Sequence, residues 1–129
     1  MILVDTSVWI EVFRRKDPLD LESLVPLDEV VTCGPIVQEV LQGFREDVHF
    51  QRARVGMSNL PSVESPMSSE VFEAAAALYR TGRRRGLTIR SSLDCLIAAC
   101  AVRNNLEVLH RGRDYPALAQ VSALRQRTF

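Results

Sequence analysis

The sequence predicts an α/β domain, a three-layer sandwich in which a central, mainly parallel sheet is covered by helices on both faces. Short apolar runs alternate with amphipathic stretches from end to end, the pattern of strand–helix units. The run Ile2-Leu3-Val4 is apolar at every position rather than at every second one, as a strand buried on both faces requires. No repeat, low-complexity tract or linker interrupts the alternation, and 129 residues fit one domain spanning residues 1–129.

The first strand, Ile2-Leu3-Val4, stops at Asp5. Asp5-Thr6-Ser7 favours a turn and helix cap, and Val8, Trp9, Val12 and Phe13 then recur at helical spacing. Asp17-Pro18 breaks that helix. A short helix is expected over 19–24, and a second strand over 29–33 around Val30-Val31-Thr32. Gly34-Pro35 opens the next helix, where proline suits the first turn. Ile36, Val37, Val40, Leu41 and Phe44 form its apolar stripe, with Glu39 at the edge. Residues 46–57 read as a weakly periodic helix and 60–64 as a short strand. Ser68 caps a stronger helix whose inward face is Val71, Phe72, Ala75, Ala76, Leu78 and Tyr79, ending near Gly86. Residues 91–103 form another, with Leu93, Leu96, Ile97, Cys100 and Ala101 inward and Asn104-Asn105 as its stop. A strand over 107–110, a loop over 111–114, a short helix over 115–119 and a last strand over 121–124 complete the chain.

Composition excludes several classes. Hydrophobic residues at 47% and charged residues at 25% exclude a disordered chain. No apolar run approaches the roughly 18 residues of a membrane helix, and the first residues lack a secretory signal's pattern; a cytoplasmic protein without membrane contact is expected. Cys33, Cys95 and Cys100 are odd in number and form no CxxC pair, which argues against a disulfide scaffold or zinc knuckle. No phosphate-binding loop, dinucleotide fingerprint or nucleophile elbow is present, and His49 and His110 form no HExxH motif.

The zero net charge hides an asymmetry: residues 1–79 carry 13 acids and 6 bases, and residues 80–129 carry 3 acids and 10 bases. All but one of the bases are arginine, which binds phosphate bidentately. The stretch Arg80, Arg83, Arg84, Arg85 and Arg90 thus suits either a nucleic-acid backbone or the negative end of a helix dipole.

Four acids fall where function collects in such folds, beyond the carboxyl ends of strands. Asp5 follows the first strand and Asp114 the strand over 107–110. Glu39 lies in the helix after the second strand, and Asp94 in the first turn of the helix over 91–103. Clustered carboxylates repel and raise one another's pKa; a divalent cation offsets that cost, and hard oxygen ligands suit magnesium or manganese. Such a site activates water and stabilises displacement at phosphorus without histidine. Each acid also has a structural reading. Asp5 suits a turn or cap, Ser91-Ser92-Leu93-Asp94 matches a capping box, Glu39 suits a solvated helix face, and Asp114 suits a cap.

With these residues in place the chain resembles the PIN-domain ribonucleases, and within them the VapC-type toxins of bacterial toxin–antitoxin pairs. The resemblance rests on Ile2-Leu3-Val4-Asp5-Thr6-Ser7-Val8-Trp9-Ile10, on Ile36-Val37-Gln38-Glu39-Val40, on Ser92-Leu93-Asp94-Cys95-Leu96-Ile97-Ala98-Ala99-Cys100-Ala101, and on Val108-Leu109-His110-Arg111-Gly112-Arg113-Asp114-Tyr115. These run in family order over nearly the whole chain. The resemblance implies a single PIN-like nuclease domain that cleaves RNA endonucleolytically, leaving 5′-phosphate and 3′-hydroxyl ends. It implies Mg²⁺, with Mn²⁺ as the alternative, held by Asp5 and Asp94, with Glu39 and Asp114 as further ligands or water-orienting acids. Thr6 and Ser7 match positions that shape the site. Arg83, Arg84, Arg85 and Arg90 are the candidates for guiding RNA. A small antitoxin, a homodimer and a toxin–antitoxin hetero-oligomer are the implied partners. The pattern departs at Gly112, where many relatives have a further aspartate. Three other readings stand beside this one: a related nuclease acting on DNA, a PIN-like binding module without turnover, and an α/β domain whose acids are only caps and turns.

Overall fold

The computed structural model describes all of residues 1–129. The wholly apolar run forms β1 (Ile2–Val4), with every residue buried. It is followed by α1 (Thr6–Val12), β2 (Val30–Val31), α2 (Gly34–Gln42), α3 (Asp47–Ser58), α4 (Ser69–Arg84), α5 (Ser92–Arg103), β3 (Glu107–His110), α6 (Asp114–Gln120) and β4 (Arg125–Thr128). The strands form one parallel sheet in the order β2-β1-β3-β4. Leu3 is in register with Val31 on one side and Val108 on the other.

This order fixes where a crevice opens. The chain leaves β1 toward β2 and leaves β3 in the opposite direction, toward β4. Right-handed crossovers then send the two connections to opposite faces, and the gap between them lies at the carboxyl ends of β1 and β3. Asp5 begins just past one strand end, and its N–H donates to the Leu109 carbonyl at 3.0 Å, so the two ends are tied together.

The core is a single cluster of 28 buried residues to which α5 contributes six. Cys95, Ile97, Ala98, Ala99, Cys100 and Ala101 are all buried, so α5 is enclosed over most of its circumference, with only its two ends and the side of Leu93 and Leu96 open, and its small side chains admit close neighbours. Cys95 is therefore inside along with Cys100, and burial pushes its thiol up to about 11. All three cysteines are free thiols.

Four expectations need correction. The strand expected over 60–64 is a single bridge, Thr32 to Ser62, on the edge of β2. The helix expected over 19–24 is a 3₁₀ turn, Leu21–Ser23. The last strand is displaced from 121–124 to Arg125–Thr128, whose residues are mostly exposed. An edge strand has one open flank and does not need an apolar signature; Leu124, just before it, is buried. On α4, Val71 and Ala75 are buried, whereas Phe72 is 50% exposed and Ala76 is exposed. Phe72 and Ala76 instead face an open apolar trough, whose inner wall is formed by Tyr79 and by Leu93 and Leu96 of α5, all half-buried and packed against the core.

Candidate active site

Asp5 is the N-cap of α1: its Oδ2 accepts the Ser7 N–H at 3.0 Å and the Ser7 hydroxyl at 2.5 Å. The capping reading of this residue is thus correct, and its position at the crevice is a consequence of it. The Ser7 hydroxyl in turn accepts the Arg111 N–H at 2.9 Å, which stitches the turn after β1 to the turn after β3. Thr6, also buried, donates its hydroxyl to Glu39 Oε1 at 2.8 Å. That bond draws the middle of α2 against the start of α1.

The capping box expected at Ser91 is half formed. Ser91 Oγ accepts the Asp94 N–H at 3.1 Å. The return bond goes elsewhere: the Ser91 N–H donates to Asp114 Oδ2 at 2.7 Å, as does the Arg90 N–H at 2.9 Å. Asp94 is released from capping, and its carboxylate accepts only the Tyr115 hydroxyl, at 3.5 Å. Asp114 is 3% exposed.

Tyr115 stands between the two aspartates. Its ring is fully buried and lies 4.7 Å from the His110 ring, centroid to centroid. Its hydroxyl donates to Asp5 Oδ1 at 2.5 Å, so Asp5 and Asp94 reach the same O–H. Sequence reasoning gave Tyr115 no role. The available signal was its place directly after Asp114 in the first turn of α6, which aims it at the same crevice.

The electrostatics follow from the crowding. The Asp94 carboxyl is pushed up to about 7, first by burial and then by Asp5, Asp114 and Glu39. Burial, then Asp5 and Asp94, hold the Tyr115 phenol well above its usual range. None of the chain's ion pairs includes Asp5, Glu39, Asp94 or Asp114. The four acids therefore lie near one another without a cationic side chain to neutralise them. No three acidic, histidine or cysteine side chains are already drawn into a metal-binding group. The donor chemistry nevertheless fits a hard divalent cation: every donor is a carboxylate or hydroxyl oxygen, and the charge is uncompensated.

The arginines divide. Arg90 is held at the site through its backbone. Arg85 donates to the Gln120 carbonyl at 3.1 Å, at the far end of α6 from Asp114, and Arg83 lies over the Tyr79 ring. Arg111 and Arg113, to which sequence reasoning gave no role, flank Gly112 on the loop beside the acids and are exposed.

This arrangement is that of a PIN domain. The model of that family matches residues 2–121. Ribonuclease VapC11 of Mycobacterium tuberculosis is 36% identical over 135 residues, covering 100% of this chain and 99% of that protein. The chain belongs to the PIN-domain family, among the VapC ribonucleases. Solved structures share the fold. DNA-bound VapBC of Salmonella typhimurium has a TM-score of 0.74 at 14% identity, covering 99% of this chain and 98% of that one. VapC20 of M. tuberculosis, described as a sarcin–ricin loop cleaving toxin, has a TM-score of 0.72 at 17% identity, covering 97% and 99%. Nucleases of this family are metal-dependent in general. No helix is long and apolar enough to cross a membrane.

Proposed function

We propose that the chain is a Mg²⁺-dependent endoribonuclease, the toxin of a toxin–antitoxin pair. The observation that carries this reading is the set of four acids from four separate segments with no cationic partner, Asp94 being pushed up to about 7 first by burial and then by the other three. Asp5 and Asp94 would hold the cation, Mg²⁺ or Mn²⁺. When bound, the metal supplies Lewis-acid activation of water and neutralises charge developing at the phosphodiester.

The chain's own residues supply position. Ser7 and Tyr115 fix both oxygens of Asp5. Thr6 holds Oε1 of Glu39, leaving the other oxygen to orient the attacking water and take its proton. Asp114 commits one oxygen to the turn that starts α5; its part is to place Asp94 and add negative charge. Arg90, Arg111 and Arg113 are exposed and sit on the segments next to Ser91 and Asp114, and would meet RNA phosphates, a more direct placement than that of Arg83, Arg84 and Arg85.

The partner reading has the same physical root. An acidic pocket without its own cation accepts a basic side chain as readily as a metal, and solved relatives of this fold include toxin–antitoxin complexes, VapBC-5 of M. tuberculosis among them. A small antitoxin, assembly as a homodimer and hetero-oligomer, and a cytoplasmic setting belong to this reading.

The test is cleavage of total RNA by the purified chain with Mg²⁺, with EDTA, and with Asp94→Asn. Cleavage with Mg²⁺ alone is expected. Cutting that persists in both EDTA and the variant would overturn the metal mechanism, and cutting of DNA in preference to RNA would overturn the substrate.

A further inference from the structure

The residue between the two aspartates is a neutral donor, and the loop opposite it is bare. An ideal Cβ on Gly112 would stand 3.2 Å from both Cδ2 and Cε2 of Tyr115, and 3.8 Å from Asp94 Oδ2. Any side chain at 112 would thus meet the Tyr115 ring and point toward Asp94. The loop is also pinned where it is. The Gly112 N–H donates to His110 Nδ1 at 3.1 Å, and the other ring nitrogen, Nε2, is 2.6 Å from Gln126 Oε1. His110 is fully buried, so its two nitrogens hold Gly112 on one side and β4 on the other. The ring of Tyr115 packs against this same histidine.

Asp5 is held from both sides as a result. Ser7 takes Oδ2 and Tyr115 takes Oδ1. A carboxylate oxygen has two lone pairs, so one donated bond leaves Oδ1 free to ligate a cation while fixing its direction. Hydrogen bonds of this kind orient metal ligands, and their loss typically costs about 10–100-fold in metal affinity.

We propose that Tyr115 is the positioning residue of the metal-binding pair: its hydroxyl fixes Asp5 Oδ1 toward Asp94, and the bare Gly112 leaves its ring uncrowded in that place. This chain thereby places a neutral hydroxyl beside its two central acids, with the edge of the same ring against Gly112. The inference rests on the metal reading above and adds a residue to it.

The experiment is Mn²⁺ binding to the intact chain, followed by electron paramagnetic resonance of the free ion, for the unmodified protein, Tyr115→Phe, Gly112→Ala and Asp94→Asn. Tyr115→Phe keeps the buried ring, and thermal melting checks that it folds. Its Mn²⁺ affinity is expected to fall about 10–100-fold, with cleavage recovering when the metal is raised to saturation. Gly112→Ala keeps every ligand and the hydroxyl but crowds the ring, so its affinity should also fall. Unchanged or tighter binding in Tyr115→Phe overturns the positioning role while leaving the metal reading intact. If the unmodified protein and Asp94→Asn bind Mn²⁺ equally poorly, the metal reading falls and this inference falls with it.

Discussion

Asp114 Oδ2 accepts the Ser91 N–H at 2.7 Å, so the acid that follows β3 holds the first turn of the helix carrying Asp94. The same oxygen takes the Arg90 N–H. An unpaired buried donor costs about 1–3 kcal/mol, and Asp114→Ala should lose stability of that order in urea unfolding. Asp114→Asn keeps an acceptor and removes a charge that repels Asp94, so it should match or exceed the unmodified protein at pH 8. Equal stability of Asp114→Ala and the unmodified chain would mean that this bond does not hold α5.

The half-formed capping box marks the limit of what spacing reveals. Ser91-Ser92-Leu93-Asp94 announces a helix start, and α5 begins there with the Ser91 hydroxyl on the Asp94 N–H. Only the tertiary fold brings Asp114 to the Ser91 N–H and so leaves the Asp94 carboxylate open. β1, β3 and the helices were legible because their apolar spacing is local. β4 was not, since Arg125, Gln126, Arg127 and Thr128 pair through the backbone on an open edge. The positions of Asp5, Glu39, Asp94 and Asp114 along the rim could be read from strand ends and helix starts. The place of Tyr115, directly after Asp114, could be read in the same way but its role could not, because a phenol's role depends on what its hydroxyl meets more than 100 residues earlier in the chain.

Asp94 also gives the metal-free protein a pH signature. Its carboxyl sits at about 7 in the fold against 3.8 for the ordinary group. Between those values the folded state holds a proton that the unfolded chain has released, so this residue's contribution to stability declines as pH rises from about 4 to 7 and then levels off. Thermal melting without metal should therefore fall across that window by more in the unmodified protein than in Asp94→Asn. Because the metal competes with that proton, Mn²⁺ should raise the melting temperature more at pH 8 than at pH 5.5. Parallel pH curves for the two proteins would remove Asp94 as the source.

Thr6 and Glu39 allow position to be separated from chemistry. The hydroxyl of Thr6 holds one oxygen of Glu39 at 2.8 Å. Thr6→Val keeps the shape and removes a bond to a charged group worth about 1.5–3 kcal/mol, so kcat should fall roughly 10–100-fold with KM for RNA nearly unchanged. Thr6→Ser should restore it. Glu39→Gln, which removes the base of the proposed mechanism, should cost about 10²–10⁴-fold. A Thr6→Val enzyme that matches the unmodified one would mean that Glu39 needs no hold from Thr6, and a fully active Glu39→Gln would place Glu39 outside the reaction.

The placement of the arginines decides which way RNA crosses the molecule. Arg90, Arg111 and Arg113 are exposed beside the acids and are in none of the ion pairs. The Arg111 guanidinium lies 4.0 Å from the centre of the Phe129 ring, a stacked contact that limits its motion before any ligand arrives. Arg85, by contrast, is tied to Gln120 at the other end of α6. Each phosphate contact on a single strand contributes about 0.7 to the slope of log affinity against log salt. In an Asp94→Asn background, where binding can be measured without cutting, Arg90→Gln, Arg111→Gln and Arg113→Gln should each flatten that slope by about this amount. Arg85→Gln should leave it unchanged. If Arg85→Gln alone flattens it, the backbone runs past the carboxyl end of α6, and the arginines around the acids serve something other than substrate binding.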